Sequence, residues 1–296
     1  MQKRKSFNGD GLNCRIQTFI RTVFRGLGQI MLQENALTGL FFLAGIFYGS
    51  PVMGLAALLA VVTGTVTAMV MGYDSGETKK GLYGFSPALV GVALVLYFEP
   101  RFTVWAMIVA GAAAAAMLQH FFIVKKLPAF TFPFVLVAWI SIFILHRFYP
   151  MAPASLPPFE QTTDPEFAIM FRGYGQVIFQ GSILAGFLFF AGVLANSRTA
   201  AVYGIAGGML STLLAALLSA PADALIFGLF GYNAVLSAIA LSGNKAKDLL
   251  WALLAVILTL LISMAMFKMS LIQLTFPFVA GTVITLMVKK RFLKVG

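Results

Sequence analysis

Two threonines in identical surroundings are the first residues of this chain that could handle a small molecule. Thr131 and Thr275 each stand in a Thr-Phe-Pro-Phe string. A hydroxyl donates one hydrogen bond and accepts two, and without an activating base it is no nucleophile. Two glutamines recur in the same way: Gln29 and Gln33 sit in FRGLGQIMLQ, and Gln176 and Gln180 sit in FRGYGQVIFQ. Each carboxamide offers a carbonyl acceptor and an NH₂ donor. The chemistry open to these six residues is hydrogen bonding to a neutral solute.

Other chemistry lacks its residues. There is no Gly-rich loop ending in Lys-Ser/Thr, no His-Glu-x-x-His and no Gly-x-Ser-x-Gly. Cys14 is the single cysteine, so it has no partner for an internal disulfide or a thiolate metal site. No Asp or Glu recurs mid-span in both halves, which argues against a proton relay or a cation-coupling site. His120 and His146 do not correspond in the repeat and sit near Lys125 and Arg147, as interfacial residues would. Neither a catalytic centre nor a cofactor is expected.

The elements that must position the threonines and glutamines follow from composition. The chain has 296 residues, of which 60% are hydrophobic and 10% charged, against about 25% charged in soluble domains. Uncharged runs cover 35–73, 173–197, 199–222, 249–267 and 269–288. A membrane span needs roughly 20 mainly apolar residues, so the sequence reads as an all-α polytopic membrane protein. Soluble enzymes and nucleic-acid binders are excluded; the net charge of +11 reflects basic loops beside a membrane rather than nucleic acid. No signal peptide is visible in the basic first 25 residues, so the first span is expected to serve as its own insertion signal.

An internal repeat organises the rest. The two FRGxGQ blocks share 6 of 10 residues at an offset of 147. GLYGFSPALVGVAL, beginning at Gly81, matches GLFGYNAVLSAIAL, beginning at Gly228, at the same offset; FTFPFV from Phe130 matches LTFPFV from Leu274 at an offset of 144. Turn signals divide each half into five spans, near 36–49, 52–72, 81–98, 103–123 and 129–149, then 184–196, 200–219, 224–242, 249–267 and 271–288. Five is odd, so the second half is expected to enter the membrane upside down. With the N-terminus inside, 17 Lys and Arg fall inside and 4 outside, as the positive-inside rule requires. The expected organisation is a cytoplasmic segment 1–19, a first repeat 20–150, an external linker 151–168, a second, inverted repeat 169–290 and a cytoplasmic tail 291–296. About ten transmembrane helices and two re-entrant half-helices result, with both termini in the cytoplasm and the protein in the cell (inner) membrane.

Inverted repeats are common in transporters, whose solute site lies where the halves meet. Each FRGxGQ segment is too short and polar to cross, and reads as a re-entrant helix buried against protein rather than an interfacial one. Gln29 and Gln176 would then stand near the pore mouths, although Gln33 and Gln180 share their helix faces, and either pair could instead bond between helices. Leu32 and Phe179, three residues on, are candidate wall residues. Proline in each Thr-Phe-Pro-Phe string breaks a helix and frees carbonyls, which with Thr131 and Thr275 would make a polar ring at the centre; back-bonding of each threonine to its own helix is the bland alternative. Phe85 and Tyr232 could line a slot for a flat solute, and Leu89 and Leu236 could narrow it by bulk. Ser86 stands where the second half has Asn233.

The three repeated blocks resemble the urea transporter family. The resemblance covers roughly 20–290 and is most specific in the two LxxxTxPF strings, Leu127 to Phe134 and Leu271 to Phe278. It implies a homotrimer with one channel-like pathway per subunit that moves urea down its gradient. It also implies Gln29 and Gln176 on the re-entrant helices and Thr131 and Thr275 at the central constriction. A pore for ammonia or short amides, and a non-transporting structural subunit, are the alternatives.

Overall fold

The computed structural model describes residues 9–149 and 169–295; the side chains up to residue 12, and the segment 151–168 expected to form the external linker, lie outside the described residues. Every described element is helical. The first half runs through α1 (Gly9–Gly28), a single 3₁₀ turn (Gln29–Met31), α2 (Ala36–Gly49), α3 (Pro51–Val70), α4 (Ser75–Lys79), α5 (Phe85–Tyr97), α6 (Phe102–Val124) and α7 (Phe132–Phe148). The second half follows as α8 (Ile169–Gln176), α9 (Ile183–Asn196), α10 (Arg198–Leu217), α11 (Ala222–Ile226), α12 (Tyr232–Ala240), α13 (Ala246–Lys268) and α14 (Phe276–Val295).

Small polar residues set the helix starts. Asn35 accepts from the Leu37 and Thr38 amides and starts α2, while Ser50 and Ser197, 147 residues apart, each accept from the third amide of α3 and α10. Such caps satisfy donors that the first helical turn leaves unpaired. Among the described residues four helices are long and apolar enough to cross a membrane: α3, α6, α10 and α13. At 1.5 Å per residue their 20–23 residues reach about 30–35 Å, the thickness of a bilayer core. The 13 residues of α5 and the 9 of α12 are too short to cross alone. Residues 13–31 and α2 pass the same test as a pair, bent by 75°.

Backbone irregularities repeat with the sequence. Left-handed φ angles occur at Leu32 and Phe179, Gly72 and Ser219, Gly81 and Gly228, Lys126 and Ser270, and Phe130 and Leu274. The first three pairs are 147 apart and the last two 144 apart, the same offsets as the sequence blocks. Ordinary side chains avoid this region, so matched occurrences mark a matched chain path. The halves meet through α2 and α9. Phe189 covers Gly45 and Phe42 covers Gly192, and the two rings meet edge to face at 5.3 Å. Each contact is the repeat image of the other, the reciprocity expected across a two-fold axis. One large core takes buried residues from both halves, among them Leu89, Phe134, Leu236 and Phe278.

Candidate functional site

The site begins with two short irregular segments, 125–131 and 269–275, each followed by a helix whose opening residues include proline. The break expected at Pro133 and Pro277 is in fact a beginning. Proline in the first turn loses no hydrogen bond, because the N–H it lacks would be unpaired there anyway. What frees the upstream carbonyls is the preceding backbone: Phe130 and Leu274 adopt φ of 46° and 45°, which turns the chain sharply into α7 and α14.

That turn presents Thr131 and Thr275 to each other. Their hydroxyl oxygens are 2.6 Å apart and buried, across 144 residues of sequence. The alternative in which each threonine bonds back to its own helix is therefore not realised. At that separation nothing passes between the two oxygens while their bond persists. Around them the Phe130 and Phe278 rings meet at 5.2 Å and the Phe134 and Phe179 rings at 6.2 Å, both between halves. Trp139 donates its indole N–H to the Ile272 carbonyl at 2.9 Å, adding another tie across the same boundary.

The structure gathers most of the remaining candidates into one place. Phe85 and Leu89 on α5, and Tyr232 and Leu236 on α12, are buried in the common core. Leu32 and Phe179 pack against that core, held there by left-handed backbone. Gln29 is buried and donates its amide to the Lys80 carbonyl at 3.1 Å, which leaves its oxygen as the end able to receive a donor. Gln176 is half-buried at the end of α8. Among the described residues neither glutamine hydrogen-bonds to the threonine pair, so the structure does not bring them to the centre.

The second glutamine pair is structural. Gln33 donates to the Met31 carbonyl and accepts from Asn196; Gln180 donates to the Ile178 carbonyl and the Met53 sulfur. These bonds lock each bend onto the opposite half. Two residues doing comparable work escaped the sequence reading, which counted them only as charges. Arg25 donates to the Lys79 carbonyl at 3.1 Å, and Arg172 donates to the Ile226 carbonyl at 3.1 Å. Each holds the end of a five-residue helix, α4 or α11, against the FRGxGQ segment. Their repetition within that block was the available signal.

The second half also carries a clamp that the first lacks. The Tyr232 hydroxyl and the Asn233 amide both donate to the Leu274 carbonyl, at 2.6 and 3.2 Å, and the Asn233 oxygen accepts from the Phe278 N–H at 3.2 Å. The turn before Thr275 is thereby tied to α12. No charged side chain takes part in any of these bonds, so the electrostatics of the centre are those of neutral dipoles within apolar walls.

Comparison with known proteins gives the family. Residues 20–290 match the family model described as urea transporter. The chain belongs to the urea transporter family. Urea transporter 1 of Ovis aries is 26% identical over 242 residues, covering 76% of this chain and 63% of the sheep protein. Urea transporter 1 of Capra hircus and of Rattus norvegicus are each 25% identical, over 242 and 244 residues, with the same coverage. This member of the urea transporter family thus spans less than two thirds of the length of those relatives. Within the family match lie both LxxxTxPF strings and both FRGxGQ blocks.

Proposed function

We propose that this chain is a passive, channel-like urea pathway in the cell membrane, formed where two inverted repeats meet within one subunit. The observation that carries the reading is the contact of Thr131 with Thr275: repeat-related oxygens meet in a buried, uncharged centre. Urea is planar and neutral, with four N–H donors and one carbonyl acceptor. As it enters, the two hydroxyls exchange their mutual bond for bonds to the solute, a trade of roughly 0.5–1.5 kcal/mol per bond. Phe85, Tyr232, Phe179 and Leu32 supply flat or bulky walls, and Leu89 and Leu236 narrow the path. Gln29 and Gln176 receive N–H groups at the two mouths. Hydrated ions are excluded because apolar walls do not replace their water. Weak, repeated bonds favour conduction over trapping.

The proposed frame has about ten spans and two re-entrant segments, with both termini in the cytoplasm. The reciprocal α2–α9 contacts and the five matched pairs of left-handed residues support an internal two-fold, and the loop charges support opposite orientation. We further propose a homotrimer in membrane lipid, on the family resemblance alone. The deciding experiment is stopped-flow uptake of urea, acetamide and ammonia into liposomes carrying the purified protein. Urea permeation well above protein-free liposomes is expected. Permeation of urea at the lipid background would overturn the reading, and preference for ammonia would replace the substrate.

A further inference from the structure

We propose that the first half holds a buried water molecule between the Ser86 hydroxyl, the Phe130 carbonyl and the Phe134 N–H, in the place that the Asn233 carboxamide fills in the second half. The inference does not depend on what the pathway conducts.

Phe85 and Ser86 on α5 correspond to Tyr232 and Asn233 on α12, and Phe130 and Phe134 correspond to Leu274 and Phe278. The backbone matches closely, with φ of 46° at Phe130 and 45° at Leu274, and α5 packs on α7 as α12 packs on α14. In the second half three bonds converge on this corner: Tyr232 and Asn233 donate to the Leu274 carbonyl, and Asn233 accepts from the Phe278 N–H. In the first half Phe85 has no hydroxyl, and serine is too short to span carbonyl and amide. Among the described residues no side chain donates to the Phe130 carbonyl, and the Phe134 N–H has no partner across the turn. The Ser86 hydroxyl is fully buried and has no protein partner.

A donor, an acceptor and a hydroxyl therefore share one apolar corner, each costly to leave unpaired. The missing phenol oxygen and carboxamide atoms vacate roughly the 30 Å³ that one water occupies. A water there accepts from the Phe134 N–H and from the Ser86 hydroxyl and donates to the Phe130 carbonyl. Three polar partners are what buried waters ordinarily have. The turn before Thr131 is then held by an exchangeable molecule, whereas the turn before Thr275 is held by side chains.

High-resolution structures of the full chain, wild type and Ser86→Asn, with thermal unfolding in one detergent, test this. Wild type should show a solvent oxygen within hydrogen-bonding distance of all three groups. In Ser86→Asn the carboxamide should replace it and raise the melting temperature by about 2–4 °C. The reverse exchange, Tyr232→Phe with Asn233→Ser, should create a matching solvent oxygen beside Leu274, and it keeps the test alive if the first variant folds poorly. A Ser86 hydroxyl turned back onto the Leu82 carbonyl with no solvent density, or no new density in the second-half variant, would overturn the proposal.

Discussion

The α2–α9 interface and the surroundings of the threonine pair are both built from repeat-related residues, yet they have kept their symmetry to different degrees. At α2–α9 the contacts are reciprocal: Phe189 over Gly45 mirrors Phe42 over Gly192. Beside the threonines the backbone is mirrored but the hydrogen-bonding side chains are not. Leu274 is clamped by Tyr232 and Asn233, whereas at the equivalent positions of the first half Phe85 has no hydroxyl and the Ser86 hydroxyl is buried without a protein partner. The difference reflects what each region tolerates. Packed backbones leave no room for an added atom, whereas a lost hydrogen-bonding side chain can be replaced by solvent.

The strongest loss is expected from crowding the inner faces of α2 and α9, where each packs on the FRGxGQ helix of its own half. Adding a Cβ at Gly39 or at Gly186 would place it on the carbonyl oxygen of Phe24 or of Phe171, equivalent atoms in the two halves. Gly39→Ala and Gly186→Ala should therefore each destabilise by about 3 kcal/mol or more, seen as loss of monodisperse protein and a much lower melting temperature. Tolerance of one but not the other would mean that the halves are not equivalent even in packing.

A mid-sized effect addresses the centre. Thr131→Val or Thr275→Val alone leaves the partner hydroxyl buried and unpaired, which should cost about 1–3 kcal/mol of stability. The double variant removes both groups and should be closer to neutral, because two apolar groups of the same shape replace the pair. Urea flux should nevertheless fall about tenfold in the double variant, the equivalent of roughly 1.4 kcal/mol on the barrier. Recovered stability with unchanged flux would move the pathway away from the threonines.

The smallest effect sharpens the boundary between the halves. Asn196 donates to Gln33 and accepts from Asn35, but its repeat equivalent is Gly49, which leaves Gln180 to bond elsewhere. Because Asn196 is exposed, water can replace its amide on Gln33, and Asn196→Ala should cost less than about 1 kcal/mol in thermal unfolding. A larger loss would show that this one-sided polar tie, rather than the mirrored Phe–Gly packing, holds α2 to α9.

Much of the candidate site was legible as repeated residues before any coordinates. Thr131 and Thr275 announce themselves because a hydroxyl beside proline in an apolar run is expensive to keep twice without a use. Ser50 and Ser197 gave the same repeated signal for helix starts, but their capping bonds are visible only in the structure. Gln29 and Gln33 could not be told apart, since they share one helix face and differ only in what lies opposite. The roles of Arg25 and Arg172 were hidden for a related reason: each bonds to a backbone carbonyl, and a carbonyl has no sequence signature. Pro133 and Pro277 look like breaks in the sequence because composition does not say on which side of a proline the helix lies.

The residues taken in order were enough to determine an all-helical membrane chain with two homologous halves, because hydrophobicity and repetition are local and additive properties that survive without coordinates. Tertiary structure alone decided that Thr131 and Thr275 touch, that Gln33 and Gln180 tie the halves together, and that Ser86 is buried without a partner. Those facts depend on how α7 meets α14 and α2 meets α9. Such meetings arise from packing summed over the whole core, and no short stretch of sequence contains them.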